Sequence, residues 1–438
     1  VATILIVVVS KGARFRRTAP RPARRAALRA ISALVPALCL AWVCCAPTQA
    51  WGAQRTIDEL KQLNVEDLMN VEVTSVSRHP EKLSQAASAI QVITQEDIRR
   101  SGATSIPEAL RLADNLQVAQ KNSHDWAISA RGFNTDLGNK LLVMIDGRTV
   151  YTPLYSGVFW DAQDYLLEDI DRIEVISGPG GALWGANAVN GVINIITKSA
   201  KDTQGVYAEA GGGSQLRDSA GARVGGTLGS NTQFRVYGKY FDRGPEVLAN
   251  GNSAADSWRQ GRAGFRLDSQ ASARDSLTLQ GDVYDGHEDE QTGGTADSSG
   301  SNVLGRWTRI LSDVSDMSLQ SYVDRTHLAD PVAPLLVAGL QFSPPGTFYD
   351  DLTTYDLDFQ HRFRIGASNQ VVWGLGFRRT HDAVLNAPAL GFLPAVLNQN
   401  LYSAFVQDEI ALRKDLSFTL GTKLEHNDYT GFEFEPDA

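Results

Sequence analysis

From Lys201 to Ala438 the chain repeats one pattern, in which apolar and polar residues alternate with a period of two. In Leu277–Val283, leucine, glycine and valine share one face, whereas Thr278, Gln280 and Asp282 share the other. Successive side chains of a β-strand point to opposite sides, so each segment predicts a strand with one apolar and one polar face. There are about eleven such segments of about ten residues, a length that matches a tilted strand crossing a bilayer.

Two architectures fit this pattern. A soluble β-sandwich or β-helix also has alternating strands. A membrane β-barrel has long outer loops and short periplasmic turns, which match the long gaps Asp285–Ser301 and Ala329–Asp350 and the short gap Gly229–Thr232. The periodicity favours the barrel and leaves the sandwich open. No apolar run of about 18 residues follows residue 50, which excludes a helical membrane protein.

Residues 1–50 predict a secretory signal peptide. They contain eight basic residues, no acidic residue, and an apolar stretch over residues 31–46. All three cysteines lie in this region, so the rest of the chain can form neither a disulfide nor a cysteine metal site. A lipid anchor at Cys44 or Cys45 is disfavoured, because the bulky Val43 stands where a small residue is needed.

The charge excludes one class of partner. The whole chain carries −9, and because residues 1–50 contribute +8, the remainder carries −17. Such an acidic protein is repelled by phosphate, so we expect no nucleic-acid binding.

Residues 71–200 mix predicted strands and helices. Ser105 is a candidate N-cap, with Pro107 and Glu108 in the first helical turn. The segment 140–151, KLLVMIDGRTVY, predicts a strand, an Asp-Gly turn and a return strand. Residues 178–185, GPGGALWG, follow a strand, but their spacing is wrong for a dinucleotide loop and no Gly-Lys-Ser/Thr follows, so a tight packed turn is favoured.

No set of residues assembles into a catalytic site. The chain has no G-x-S-x-G motif, and carboxylate pairs such as Glu168 and Asp169 are typical of a charged surface. His287 lies in HEDEQ, which is either a calcium-binding loop or, as we favour, a solvated acidic loop. We therefore predict that the protein is not an enzyme and has no resident metal.

Residues Val71–Lys198 resemble the plug domain of TonB-dependent receptors. The segments that carry the resemblance are VEVTSVSR, ISARGFN, LLVMIDGRTVY and, most specifically, IDRIEVISGPGGALWGANAVNGVINIITK. Ser177 stands where the family usually has Arg, which puts one local plug contact in doubt. In the second half, LYSAFVQDEI is the most family-like stretch.

The resemblance implies a membrane β-barrel of about 22 antiparallel strands, filled by an N-terminal α+β plug domain. We expect a signal peptide at 1–50, a TonB-box or periplasmic segment at 51–76, the plug at 77–200 and barrel strands at 201–438. About 10–11 strands fit in the last segment, so we expect a partial barrel and a fragment of a longer receptor, because an open sheet leaves unpaired edges in lipid.

The resemblance also implies function: TonB-dependent import of a scarce large ligand, most simply an iron–siderophore complex, across the outer membrane of a Gram-negative bacterium. Cobalamin, haem, another metal or an oligosaccharide is the alternative, and a passive porin-like channel is a more distant one. The implied partners are TonB with ExbB and ExbD, outer-membrane lipid and the ligand. No cofactor is implied, because the metal chelate would be cargo.

Three groups of residues are candidates for these roles. The TonB-box candidate is an extended segment that is also a candidate first plug strand: Val71, Glu72, Val73, Thr74 and Ser75. Candidates for ligand contact at the plug apices, which could equally pack against the barrel wall, are Arg131, Phe133, Asn134, Tyr155, Phe159 and Trp160. Candidates for plug structure are Asp146, Gly147, Gly178, Pro179, Gly185, Asn187, Gly191 and Asn194.

Overall fold

The structure is a computed structural model of the chain. It describes residues 72–75, 81–86, 88–132, 134–135, 137–138, 140–413 and 416–437. The predicted signal peptide and residues 51–71 lie outside the described residues. A mixed α+β part extends to residue 203, and an antiparallel sheet occupies most of the rest.

The described residues of the first part, which we call the plug, form nine short strands. Their bounds are β1 Glu72–Val73, β2 Glu81–Lys82, β3 Ala89–Thr94, β4 Leu116–Gln120, β5 Trp126–Ala130, β6 Leu141–Ile145, β7 Arg148–Thr149, β8 Ile170–Ser177 and β9 Gly191–Thr197. Five of them form the central sheet in the order β3-β8-β9-β6-β7. Only β6 and β9 are parallel neighbours in that sheet, and β1–β2 and β4–β5 are separate antiparallel pairs.

The plug helices are short, with bounds α1 Gln95–Ser101, α2 Ile106–Leu110 and α3 Gly181–Trp184. Three 3₁₀ turns accompany them, at Leu83–Gln85, Leu167–Asp169 and Ala200–Thr203. The predicted Ser105 cap is confirmed, because its hydroxyl accepts a hydrogen bond from the Glu108 N–H. Within the described residues, no helix has the length and apolar character needed to cross a membrane.

The predicted Asp-Gly turn joins β6 to β7. Asp146 has φ 53° and Gly147 has φ 84°. Both values lie in the left-handed region that a tight two-residue hairpin turn requires, and glycine and aspartate tolerate that region best. The turn therefore follows directly from the residue types that the sequence places there.

The plug has its own apolar core. β6, β8 and β9 supply branched aliphatic side chains that are almost completely buried, among them Val143, Ile173 and Ile193. α2 adds Ile106 and Leu110, both fully buried. Because nearly all members of this core come from the plug, the plug is stabilised largely by its own hydrophobic contacts.

The second part is one antiparallel sheet of twelve strands. Its strands are β10 Gly205–Gly211, β11 Leu216–Leu228, β12 Thr232–Arg243, β13 Trp258–Gln270, β14 Asp275–Asp289, β15 Thr295–Ser312, β16 Ser315–Val332, β19 Gly346–Ile365, β20 Asn369–Leu385, β21 Val396–Arg413, β22 Leu416–Asn427 and β23 Gly431–Asp437. Each strand pairs with the next in the chain, apart from the small hairpin β17 Leu336–Val337 and β18 Leu340–Gln341 inside a loop. This is the up-and-down order of a membrane β-barrel.

The two faces of the sheet differ as the alternation predicts. In β14 the side chains of Leu277, Leu279 and Val283 are between 43% and 47% exposed on the outer face. Asp282 and Tyr284 of the same strand are buried on the inner face. An apolar outside and a polar inside are the pattern of a wall between lipid and a filled lumen, which rules out the sandwich alternative.

The predicted long gaps are shorter than expected. β14 continues to Asp289 and β15 begins at Thr295, so the gap predicted at Asp285–Ser301 is mostly paired strand. β16 and β19 likewise extend into the second predicted gap. Along these strands, the apolar outward-facing side chains end before the backbone pairing ends. The sequence pattern therefore underestimated both the length and the number of the strands.

Candidate functional site

The plug lies against the inner face of the sheet, and the Asp146-Gly147 turn is one of its main contacts. The Asp146 carboxylate accepts hydrogen bonds from the Thr197 N–H at 2.9 Å and from Gln280 Nε2 of β14 at 2.8 Å. Arg306 of β15 donates to the Asp146 carbonyl at 2.6 Å. A Cβ on Gly147 would lie 3.0 Å from the Gln320 side chain, so the turn fits closely against the wall.

Ionic pairs continue this contact along β11 and β12. Arg223 binds Asp169, and Lys239 Nζ lies 2.8 Å from Asp164 Oδ1. These four side chains are less than a tenth exposed. The wall supplies the cations and the plug supplies the carboxylates, and such a buried pair is costly to break unless both charges are solvated or paired again.

A polar network joins the plug to the middle of the barrel. Arg148 of β7 pairs with Asp324 of β16 and donates to the Tyr165 hydroxyl at 3.1 Å. Tyr165 in turn donates to Asp282 of β14 at 3.0 Å. Burial raises the pKa of the Tyr165 phenol, and the Asp282 carboxylate raises it further, so the phenol stays protonated and acts as a donor.

Glu174 of β8 holds the start of the described chain. Its side chain is fully buried and accepts hydrogen bonds from the Thr74 N–H at 3.1 Å, from the Ser75 N–H at 2.8 Å and from the Ser75 hydroxyl. Arg172 Nε donates to the same carboxylate at 2.8 Å. Glu174 was not among the predicted site residues, although one acidic residue inside the apolar strand IDRIEVIS was the available signal.

The TonB-box candidate therefore has a defined position in part. Glu72 and Val73 pair with β2, and Val73 is fully buried. Asn194 Nδ2 donates to the Ser75 hydroxyl at 2.9 Å, and Trp184 Nε1 donates to the Ser75 carbonyl at 2.8 Å. The interpretation of this segment as a first plug strand fits the structure. Its binding by TonB stays a prediction. Val71 lies outside the described residues.

The glycine-rich segment after β8 is a tight turn against the wall. Gly185 has φ 87°, and a Cβ there would lie 2.4 Å from Glu425 Oε1 of β22. A Cβ on Gly191 would lie 2.4 Å from the Ile176 carbonyl oxygen. Gly178 has φ 108°, and Pro179 is exposed. Asn187 lines a cavity of about 760 Å³ that lies between the plug and strands β15–β22.

A second cavity lies between the plug loop 149–163 and the extracellular halves of β13–β16 and β19. Among its lining residues are Phe159, Asp161, Tyr284, Asn302 and Asp350. Its volume is about 40 Å³, which holds water but not a chelate, because ligand pockets are typically about 300–1,000 Å³. In this conformation the cavity can accept a part of a ligand at most.

The ligand-contact candidates do not form one surface. Tyr155 stacks on Phe159 with ring centroids 4.3 Å apart, and Phe159 borders the cavity. Trp160 is only 6% exposed and belongs to the plug core. Arg131 and Asn134 are exposed on a separate loop.

Phe133, the remaining candidate, lies outside the described residues. Contact of any of these side chains with a ligand stays a prediction.

Above this cavity lies a group of acidic side chains around one histidine. His124 of the plug is 1% exposed, and its Nδ1 lies 3.5 Å from Glu288 Oε2 of β14. Burial lowers the pKa of His124, but Asp125, Asp161 and Glu290 raise it, and the net shift is upward. The expectation that HEDEQ is a solvated loop is wrong for Glu288, which is 5% exposed, because the strand continues through this segment and turns that side chain inward.

A mixed domain seated against the polar face of an up-and-down sheet defines a plugged membrane β-barrel. Residues 82–192 match the family model "TonB-dependent Receptor Plug Domain", and residues 198–438 match "TonB dependent receptor-like, beta-barrel". The chain therefore belongs to the TonB-dependent receptors, which confirms the resemblance and the predicted fold class. Barrels of this family are outer-membrane proteins, and the family consists of transport receptors rather than enzymes.

Among curated relatives, the vitamin B12 transporter BtuB of Vibrio vulnificus (strain CMCP6) is 31% identical over 150 residues, which are 34% of this chain and 24% of that protein. BtuB of Vibrio cholerae (serotype O1, strain M66-2) is 32% identical over 178 residues, 40% of this chain and 28% of that protein.

Among solved structures, the siderophore receptor PirA from Acinetobacter baumannii has a TM-score of 0.65 at 17% identity, covering 80% of this chain and 58% of that one. A mutant ferric enterobactin receptor, PfeA, from Pseudomonas aeruginosa has the same TM-score and identity, covering 81% and 59%. At this identity the likeness concerns the fold. The chain spans under three fifths of these structures and about a quarter of the curated relatives.

Proposed function

We propose that this receptor imports a scarce, large ligand across the outer membrane, with energy delivered by TonB and its partners ExbB and ExbD. The observation that carries the proposal is the seated plug. Its turn at Asp146-Gly147 and its carboxylates Asp164 and Asp169 are bonded to the wall, so a folded domain covers the inner face of the sheet. A passive channel has no use for such a stopper.

We infer that the same contacts would allow the plug to be displaced. The contacts described above are ion pairs and hydrogen bonds, which water can replace more readily than it can solvate an apolar core. A smaller apolar contact, of Leu183 with Val372 and Phe405 of the wall, lies beside them. The apolar side chains of the plug are mostly packed against one another. Force could therefore loosen the plug from the wall at lower cost than it would take to unfold the plug.

The force would enter at the segment Val71–Ser75. TonB would add a strand to this extended segment, as in other cases of strand addition. Ser75 is tied to Glu174 on β8 and to Asn194 on β9, two adjacent strands of the central sheet. A pull on the segment would thus act directly on the middle of the plug.

For the ligand we propose an iron–siderophore complex first and cobalamin second. The fold neighbours named above are siderophore receptors, whereas the relatives with higher identity are vitamin B12 transporters. The curated matches cover only 34–40% of this chain, so they support the receptor class more strongly than a ligand.

The test is uptake and binding of labelled ferric siderophores and labelled cobalamin by cells that produce the receptor. Deletion of Val71–Ser75 is expected to abolish uptake of the accepted ligand while binding at the cell surface is retained. Loss of TonB should have the same effect. Uptake that continues at full rate without TonB, or a deletion that removes binding and uptake equally, would contradict the proposal.

A further inference from the structure

The extracellular end of the lumen carries a concentration of carboxyl groups, which we call the acidic rim. Two come from the plug, and five come from β14, β16, β19, β20 and the loop after β14. They are Asp125, Asp161, Glu288, Glu290, Asp330, Asp350 and Asp382. Carboxyl groups that face the lumen at its extracellular end would meet an incoming ligand before the ligand reaches the plug core.

One part of the rim is a carboxyl pair on adjacent strands. Asp350 of β19 and Asp382 of β20 are diagonal neighbours on the inner side, since Asp382 is paired with Leu352, and each is only 6% exposed. One carboxyl oxygen on each, Oδ1, is buried and has no hydrogen-bond partner among the described residues. Buried carboxyl oxygens are normally satisfied, so each of these two Oδ1 atoms is open to a hydrogen-bond donor or a cation from a ligand.

The other part surrounds His124. Its Nδ1 lies 3.6 Å from Asp125 Oδ1 and 3.5 Å from Glu288 Oε2, and its Nε2 lies 4.0 Å from Glu290 Oε1. Neither ring nitrogen makes a hydrogen bond to any described residue, although the side chain is 1% exposed. One imidazole, even when protonated, offers only two N–H donors to the three carboxyl groups of Asp125, Glu288 and Glu290 around it.

The basic side chains nearest to the rim are already engaged. Arg148 pairs with Asp324, and Arg378 Nε donates to Asp356 at 2.9 Å. Arg262 donates to the Ala162 carbonyl and stacks between the rings of Tyr165 and Tyr284, at 4.8 Å from each centroid. Lys121 lies 3.6 Å from Asp125 and is half exposed. None of these four basic side chains hydrogen-bonds to the open Oδ1 atoms of Asp350 and Asp382.

We propose that the ligand presents a positively charged group to the acidic rim, so that the receptor takes cationic chelates or ligands with a free ammonium or guanidinium group. A polyanionic chelate, such as a trianionic ferric triscatecholate, is rejected by the same carboxylates. Charge of one sign in a narrow cleft concentrates ligands of the opposite sign and repels like charge. This inference rests on the proposed import function and narrows its substrate class.

The test is calorimetric titration of the purified receptor in a non-ionic detergent with hexaamminecobalt(III), a substitution-inert trivalent cation. One saturable site is expected, and the double substitution Asp350→Asn with Asp382→Asn should weaken binding at least tenfold. Asp161→Asn should also weaken it. Asp351→Asn is the matched control, because Asp351 is the next residue on β19, faces outward and is 44% exposed, so binding should change less than twofold.

Several results would overturn the inference: no saturable binding of the cation, equal binding by the double variant, or tighter binding of a trianionic ferric triscatecholate than of the cation. Heat-dependent gel mobility checks that the variants are folded. The titration needs no TonB, so cation binding with no TonB-dependent uptake would reject the import function and leave this inference standing. Uptake of an anionic ligand would reject this inference and leave the import function standing.

Discussion

The plug and the barrel wall are built from the same kinds of residue in opposite arrangements. In the plug, Ile173 and Ile193 are fully buried at the centre, and charged side chains such as Asp164 and Asp169 point outward. In the wall, Leu279 faces outward and charged side chains face inward. The surroundings explain the difference, since the plug surface meets a polar lumen whereas the outer wall meets hydrocarbon. Polar surfaces therefore meet over much of the contact between plug and wall, beside the apolar contact of Leu183 with Val372 and Phe405.

The largest effect is expected when one partner of a buried ion pair between plug and wall is removed. Asp169→Leu leaves Arg223 and Arg235 of the wall buried without their carboxylate. The free energy that holds the plug against the wall should therefore fall by about 3–5 kcal/mol. The measurement is the urea concentration at which the plug becomes accessible to protease in the membrane-inserted receptor.

Asp171→Leu is the control for this change, because Asp171 lies two residues away with its side chain 46% exposed. Equal midpoints for the two variants would show that the wall does not hold the plug through Asp169.

A somewhat smaller effect is expected when charge is placed on the wrong face of the wall. Leu279→Arg puts a guanidinium into hydrocarbon, at a cost of about 2–4 kcal/mol near the bilayer centre. Gln280→Arg puts the same group into the lumen beside Asp146, which can accept its hydrogen bonds. The yield of heat-modifiable, membrane-inserted protein should fall for the first variant and stay near wild type for the second. The reverse order would show that the faces are assigned wrongly.

The smallest effect is expected from pH at the top of the plug. The pKa of His124 is raised above its usual 6.5, so protonation stabilises the seated plug, and this contribution is lost as pH rises through the raised value. Burial also raises the pKa values of the Asp161 and Glu290 carboxyls, which acts in the same direction.

Protease cleavage near Asp125 should therefore be faster at pH 8 than at pH 6, relative to an unstructured peptide of the same sequence. His124→Gln should reduce this difference. A pH dependence of opposite sign would contradict the assignment of His124 as a protonated contact.

The sequence predicted those features that depend on local pattern. Alternation identified the lipid-facing side chains such as Leu277, the Asp146-Gly147 pair predicted a turn, and Ser105 predicted a helix start. The strand ends above the membrane could not be predicted, because polar residues occupy both faces there and the alternation disappears. Glu288 was misassigned for that reason.

Contacts between distant segments were also beyond the sequence. Glu174 and Ser75 are 99 positions apart, and only the folded plug brings the carboxylate to the Ser75 N–H. His124 meets Glu288 only when plug and wall are assembled. The family resemblance located the plug, but it did not indicate which side chains bond the plug to the wall.

The proposed import requires the plug to shift against the wall, and a reversible crosslink between the two would detect whether it does. Gly147→Cys with Gln320→Cys, joined by a short methanethiosulfonate crosslinker, would tie the plug to β16, since the two sites are in contact. Arg306→Cys with Gln320→Cys is the control within the wall. We expect the plug crosslink to stop uptake and to leave ligand binding intact, and we expect reductant to restore uptake. Full uptake with the crosslink in place would contradict the proposed shift of the plug.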